Sequence, residues 1–175
     1  LAHLMKIVSY MLLLFGVILN IHLLYRASER MTLQISQSEA KLRGIIDQSL
    51  NFIGLLTTDG IVLDGNRTAL NSAGVYAEDV LGQPFWETPW WTHSAEMQDR
   101  LRESIRRAAT GQFDRFEATH PTPDGSLIYV DFTLKPVRDE SGEIIFLMPE
   151  GRDVTEQKAA VDALVTAELR LENAL

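Results

Sequence analysis

The hydrophobic pattern along the chain changes character several times, and each change predicts a different element. From Ile7 to Tyr25 (IVSYMLLLFGVILNIHLLY) the residues are mostly apolar and carry no formal charge, and Met11 to Ile18 is apolar on every side apart from Gly16. A core helix would show one polar face. A cleaved leader would have a shorter apolar run and a small-residue cleavage site, whereas this run leads directly into Arg26, Ala27, Ser28, Glu29 and Arg30. The length approaches the roughly 20 residues that cross a hydrocarbon core. Tyr10 and Tyr25 fall near the expected interfaces, Lys6 and Arg26 close the segment, and Ser9, Asn20 and His22 sit toward its ends. Residues 1–26 are therefore expected to form a transmembrane helix, with His22 an interfacial residue. Arg26, Arg30, Lys41 and Arg43 follow the span against Lys6 before it, which places the remainder in the cytoplasm and the span in the inner membrane.

Past the span the period becomes that of a coiled-coil seam. Met31, Ile35, Leu42 and Ile45 recur at 3-4 spacing with Ser38 in the remaining position, so residues 27–48 are expected to be a helical linker. The C-terminal segment 155–175 repeats this pattern with Val161, Leu164, Leu171 and Leu175. Glu168 is its polar interruption, and Val165 and Leu169 widen the stripe. Two such helices flanking a domain predict a parallel homodimer; the alternative is that each packs on its own domain. The pattern stops inside this helix, and a catalytic output domain is expected beyond Leu175.

Between these helices, residues 49–154 read as one α+β domain. Asn51 to Thr57 and Ile61 to Leu63 are apolar runs separated by Thr58-Asp59-Gly60, a hairpin signal. Asn66 to Trp91 shows no strand alternation and predicts compact helices and loops. Ser94 caps a helix with Met97, Leu101, Ile105 and Ala108 on one face, and Glu96–Arg100 and Glu103–Arg107 stand at i,i+4 spacing for ion pairs. Three strands are then expected, Phe113 to His120, Leu127 to Val137 and Glu143 to Gly151, joined by Pro123-Asp124-Gly125 and by Asp139-Glu140-Ser141-Gly142. In the middle one, Ile128, Val130, Phe132 and Leu134 alternate with Tyr129, Asp131, Thr133 and Lys135, the period of a half-buried sheet.

Composition narrows the chemistry. The formal charge is -8, and an acidic chain lacks the basic face that nucleic acid requires. There are no cysteines, which excludes disulfides, thiolate metal sites, thiol nucleophiles and chromophores held through sulfur. No Gly-rich phosphate loop, catalytic carboxylate pair or metal-ligand spacing is visible, so neither catalysis nor a metal site is expected within these residues.

The stretches LTTDGIVLDGNRTALNSAGVYAEDVLGQPF, FWETPWW, THPTPDGSLIYVDFTLKPVRDESGEI and PEGRDVTEQK together resemble the PAS family of sensor domains over about residues 41 to 158. The most specific of these is GRDVTEQK, which is similar to the family's Asp-X-Thr junction between the last strand and an outgoing signalling helix. The resemblance implies a five-stranded antiparallel sheet with helices over one face and dimerisation through flanking helices. It also implies a sensor histidine kinase or related regulator as the parent, with no catalysis in the domain itself. Asp153 and Thr155 are the expected coupling residues: Asp153 stands where it can cap the helix, Glu156 at capping-box distance, and Thr155 offers a hydroxyl at the first turn.

Family members bind haem, flavin, small carboxylates, aromatic compounds or nothing, so the ligand has to be read from the residues. Trp86, Trp90 and Phe132 are the pocket candidates, where indoles could cover a non-covalent flavin or a small organic molecule, or else simply fill the core. Haem is disfavoured, because His93 precedes the long helix and His120 stands at a strand end before Pro121. A ligand-free dimerisation spacer is the rival expectation to a ligand sensor.

Overall fold

A computed structural model describes residues 2–172, which divide into two units, up to Ile45 and from Ile46 onward. The side chains of residues 2–5, 7–10 and 171–172 are outside the description, so the placement of Ser9 and Tyr10 and the seam position Leu171 fall there. Leu175 lies outside the described residues altogether.

The first unit is helical. Helix α1 (Ala2–Asp47) runs without interruption through the apolar stretch and the linker, consistent with the lack of proline and with a hydroxyl of Thr32 that bonds back to the Ser28 carbonyl at 3.0 Å. It is the one helix among the described residues long and apolar enough to cross a membrane. Phe15, Ile18, Leu19 and Leu24 are exposed along it, as are Met31, Ile35, Leu42 and Ile45 of the expected seam.

The second unit is an α+β domain. Its strands are β1 (Phe52–Leu56), β2 (Val62–Gly65), β3 (Asp114–Pro121), β4 (Leu127–Arg138) and β5 (Ile144–Asp153). They form a five-stranded antiparallel sheet in the order β2-β1-β5-β4-β3. The first hairpin turns where expected, closed by Gly60 N–H to the Thr57 carbonyl at 3.0 Å with Gly60 at φ +84°. A side chain at Gly60 would also meet Ile105 and Trp86 at 2.9 Å, so the site excludes a Cβ twice over. β2 is displaced from the expected Ile61 to Leu63, because Leu56 pairs with Val62 and the ladder continues to Gly65.

Helices α2 (Arg67–Ala73) and α3 (Ala77–Val80), a 3-10 turn (Phe85–Glu87) and α4 (Ala95–Ala109) pack over one sheet face. Ser94 caps α4 by accepting from Met97 N at 3.3 Å, and Leu101, Ile105 and Ala108 are buried beneath it. The core is Leu56, Val62, Trp91, Leu101, Val130, Phe132, Leu134 and Leu147. On β4 the alternation holds, with Val130, Phe132 and Leu134 buried and Asp131, Thr133 and Lys135 between them half-exposed.

The expected i,i+4 ion pairs on α4 give way to other partners. Arg100 reaches across to β3 and forks onto Asp114 at 2.7 and 3.0 Å, with Arg107 at 3.6 Å from the same carboxylate, while Glu103 pairs with Arg106. Asp114 is 6% exposed, and a buried carboxylate without a cation costs far more than an exposed helix pair returns. The Arg100 hydrogen bond accordingly holds the Asp114 carboxyl below the usual carboxylate range against the opposing effect of burial. Arg100 also lies over the Phe116 ring at 4.2 Å, fixing α4 to β3.

Helix α5 (Thr155–Glu172) leaves the end of β5 with Val161, Leu164, Val165 and Leu169 exposed.

Candidate functional site

Asn66 holds the start of the domain together. It ends the β1–β2 hairpin, caps α2 and is 1% exposed. Its amide group donates to the carbonyls of Ile46 at 3.0 Å and Asn51 at 2.9 Å, and its oxygen accepts from the N–H groups of Ile53 and Ala69, both at 3.0 Å. One side chain thus joins the last turn of α1, the start of β1 and the first turn of α2. Its full complement of two donors and two acceptor sites is used.

Between helices α2 and α3 and the sheet lies an apolar cavity of about 40 Å³, lined by Phe52, Leu56, Phe85, Trp90 and Phe132 together with His120 and Asp64. The alternation of β1 and β4 turns Phe52, Leu56 and Phe132 to the covered face, and the 3-10 turn and the segment after it bring Phe85 and Trp90 over them. Trp90 is 6% exposed and donates its indole N–H to the Ala69 carbonyl at 3.2 Å, which fixes the ring against α2. Phe132 packs edge-on against Trp91 at 5.1 Å between centroids. Trp86 is elsewhere: its ring lies by Gly60 and under Arg102 at 5.6 Å, lining an outer groove with Asp59 and Arg106. Of the three expected pocket residues, the structure brings Trp90 and Phe132 to one cavity and sets Trp86 apart, because the turn at Phe85–Glu87 buries Phe85 and turns Trp86 outward.

The cavity is the size of one or two waters or a molecule of few heavy atoms. Planar cofactors such as an isoalloxazine or a porphyrin need several times that space. His93, the other histidine weighed for haem, is exposed and bonded to Thr119 Oγ1 at 2.9 Å, and it does not line the cavity.

His120 is 5% exposed, and neither ring nitrogen has a hydrogen-bond partner. The ring stands edge-on to Trp91 at 4.9 Å and tilted to Phe52 at 6.4 Å. Burial, assisted by repulsion from His93, pushes its pKa down from 6.5 to about 3, so the imidazole is neutral at ordinary pH. The unfolded chain then binds a proton that the fold does not between about pH 6.5 and 3. Stability from this group is intact above that window and falls inside it by about 1.4 kcal/mol per pH unit. His120→Leu should flatten the acid limb of urea-unfolding free energy by about that slope; parallel limbs would place the proton elsewhere.

The second candidate lies where β5 becomes α5. β5 runs on past the expected Gly151 to Asp153, because Asp153 still pairs with Val130. Asp153 then accepts from the Thr155 N–H at 2.9 Å, an Asx-type bond at the helix start rather than the reciprocal capping box expected with Glu156. Thr155 turns its hydroxyl back to the sheet and accepts from Tyr129 N–H at 2.9 Å, while Val154 N–H donates to the Tyr129 carbonyl, also at 2.9 Å. Both backbone groups of Tyr129 on β4 are therefore bonded to the first residues of the helix. Lys158, one turn on, lies 4.4 Å from the Tyr129 ring and pairs with Glu117 of β3, which raises the lysine pKa.

His120, Asn66 and Tyr129 had no assigned role in the sequence reading. The signal for His120 was present: Asp114, Phe116, Ala118 and His120 alternate along β3, and Asp114, Ala118 and His120 are its buried positions. Tyr129 acts through its backbone, which no side-chain motif reveals.

A twisted antiparallel sheet, helices closed over an apolar cavity and a last strand bonded into an outgoing helix define a sensor-type domain. A family model described as PAS fold matches residues 46–159, and the chain belongs to that family. It is 39% identical over 136 residues to the sensor histidine kinase TmoS of Ectopseudomonas mendocina, covering 77% of this chain and 14% of that protein. It is 34% identical over 126 residues to the hybrid signal transduction histidine kinase D of Dictyostelium discoideum, covering 71% of this chain and 8% of that protein. The crystal structure of the PAS domain of an HTR-like protein from Haloarcula marismortui superposes with a TM-score of 0.59 at 19% identity, over 71% of this chain and 98% of that one. The chain thus spans only a small part of the curated relatives it matches.

Proposed function

We propose that this chain is the sensory module of a membrane-anchored sensor histidine kinase. In this reading α1 crosses the inner membrane, the PAS domain is cytoplasmic, and the exposed stripes of α1 and α5 meet their counterparts in a homodimer. A change in the cavity or at the dimer contact passes to α5 and from there to a kinase domain beyond residue 175. The kinase assignment rests on the two histidine kinase relatives, and the membrane assignment on the length and apolarity of α1.

The observation that carries the coupling is the bonding of Tyr129 to Val154 and Thr155. Phe132, three residues along β4 from Tyr129, forms a wall of the cavity, so one strand touches both the ligand space and the helix start. Thr155→Val keeps the shape of the side chain and removes the hydroxyl. In the full-length kinase it should abolish most of the signal-dependent change in autophosphorylation while lowering domain stability by only about 1 kcal/mol. Unaltered signal dependence in that variant would refute the joint.

The small cavity gives a second reading its support: a domain that binds nothing and relays motion from α1 to α5. Asn66 ties the end of α1 to β1, and β1 pairs with β5, which leads into α5. Autophosphorylation that responds to the signal through α1 but never to any small molecule would favour this spacer.

A further inference from the structure

Asn20 stands inside the apolar run of α1 with its side chain exposed. At 1.5 Å per residue it lies about 6 Å along the axis from Gly16, the middle of Ile7 to Tyr25, whereas a hydrocarbon layer extends about 15 Å to either side. So short a side chain does not reach the headgroups from there, and an amide without a partner is strongly disfavoured in hydrocarbon. Thr32, farther along α1, turns its hydroxyl back onto the Ser28 carbonyl at 3.0 Å. Among the described residues no such bond serves the Asn20 amide, so its partner has to come from outside the helix. A carboxamide both donates and accepts, which makes a second copy of itself complementary.

The phase of α1 favours that second copy over an unrelated helix. At 3.6 residues per turn Asn20 precedes Met31 by about three turns and Ser38 by about five, so it shares the face of the expected linker seam. α1 carries this phase through without a break. From Leu13 to Ile45 no Asp, Glu, Lys or Arg lies within about 40° of the line through Asn20. Gly16, one turn before Asn20, has nothing within 4 Å of where a Cβ would stand, which leaves room for a second backbone to approach. A parallel pair related by a two-fold axis brings both amides to the same depth and continues into the seam.

We propose that Asn20 sets the register of an intramembrane homodimer, the carboxamide of each α1 donating to and accepting from that of a second copy, at a close approach that Gly16 admits. The proposal rests on the reading of α1 as a membrane span and adds the face and the residue by which two spans recognise each other. A single polar contact in an apolar interface aligns the helices axially, and here it also presents Met31, Leu42 and Ile45 to their counterparts.

The test uses the whole chain in liposomes, with single cysteines introduced into a sequence that has none. Alkaline extraction establishes whether the chain is embedded. Oxidative cross-linking reads the face, and energy transfer between labelled copies across a dilution series in lipid reads the affinity. Leu24→Cys and Ala27→Cys, about one and two turns past Asn20 on its face, should cross-link at least about tenfold faster than Ile18→Cys and Tyr25→Cys on the far side. Asn20→Leu should weaken the dimer about tenfold through loss of two reciprocal bonds, and Asn20→Gln, which keeps the amide, should recover most of that. Leucine makes the run more apolar, so weakening in Asn20→Leu does not arise from a lost span. Release of the chain by alkali would overturn the membrane reading itself. An embedded chain that cross-links equally from all four positions, or best from Ile18→Cys, would overturn the face while leaving the span. Cross-linking confined to the expected face with unchanged affinity in Asn20→Leu would overturn the role of the amide.

Discussion

Replacing Asn66 by alanine should lower the stability of the domain by about 3 kcal/mol or more, well beyond the loss of an ordinary helix cap. The variant strips partners from the N–H groups of Ile53 and Ala69 and from the carbonyls of Ile46 and Asn51. Backbone groups left unpaired inside a fold cost more than a hydrogen bond contributes when made. Asn66→Asp separates the contributions: it keeps the two acceptor bonds but turns a carboxylate oxygen toward two carbonyls, so it should be no better than alanine. Urea unfolding followed by tryptophan fluorescence measures both. A loss below about 1 kcal/mol for Asn66→Ala would mean that water reaches these groups and that the side chain is not the clasp between α1 and β1.

Phe132→Ala is expected to cost about 3–5 kcal/mol. The ring is 2% exposed and packs among Trp91, Phe116 and Phe85 at centroid distances of 5.1, 5.0 and 6.4 Å. Because it also forms a wall of the cavity, its removal enlarges that space instead of merely loosening the core. The variant should therefore recover part of its lost melting temperature when saturated with benzene, since a ligand that binds only the folded form stabilises it by mass action. Thermal unfolding with and without benzene reads both effects. A loss without rescue would show that the neighbouring side chains collapse into the space.

Much of the fold was legible because local chemistry and tertiary demand agree. The alternation of Val130, Phe132 and Leu134 stated which face of β4 is covered, Asp59-Gly60 placed the first turn, and Ser94 placed the start of α4. The misreadings arose where a distant partner decided the outcome. Arg100 has Glu96 within reach on its own helix, yet the buried carboxylate of Asp114 has the greater need of a cation. β5 outlasts the expected boundary at Gly151 because Val130 still offers Asp153 a place in the ladder. Trp86 and Trp90 lie in one aromatic cluster in the sequence, and only the turn at Phe85–Glu87 determines which of them faces the cavity.

The candidate site was less legible than the fold. Asp153 and Thr155 were found by motif, but the group that the Thr155 hydroxyl bonds is a backbone amide 26 residues away, invisible to any pattern of side chains. His120 illustrates a different limit. Next to Pro121 it reads as a residue of a strand end, and its burial follows only from continuing the period-2 rhythm of β3 to its last residues. The stripes on α1 and α5 were legible as far as helices with apolar rows, and the structure has both elements helical with Met31, Ile35, Leu42, Ile45, Val161 and Leu164 exposed.

The central claim is that α5 is bonded, through Thr155, to the strand that walls the cavity. Amide hydrogen exchange at Tyr129, compared between the unmodified chain and Thr155→Val, tests it most directly. The account predicts that the Tyr129 amide is protected like its neighbours in the sheet, and that in the variant it opens together with the first turn of α5 while Phe132 and Leu134 stay closed. Rapid exchange at Tyr129 in the unmodified chain, or protection indifferent to loss of the hydroxyl, would contradict it.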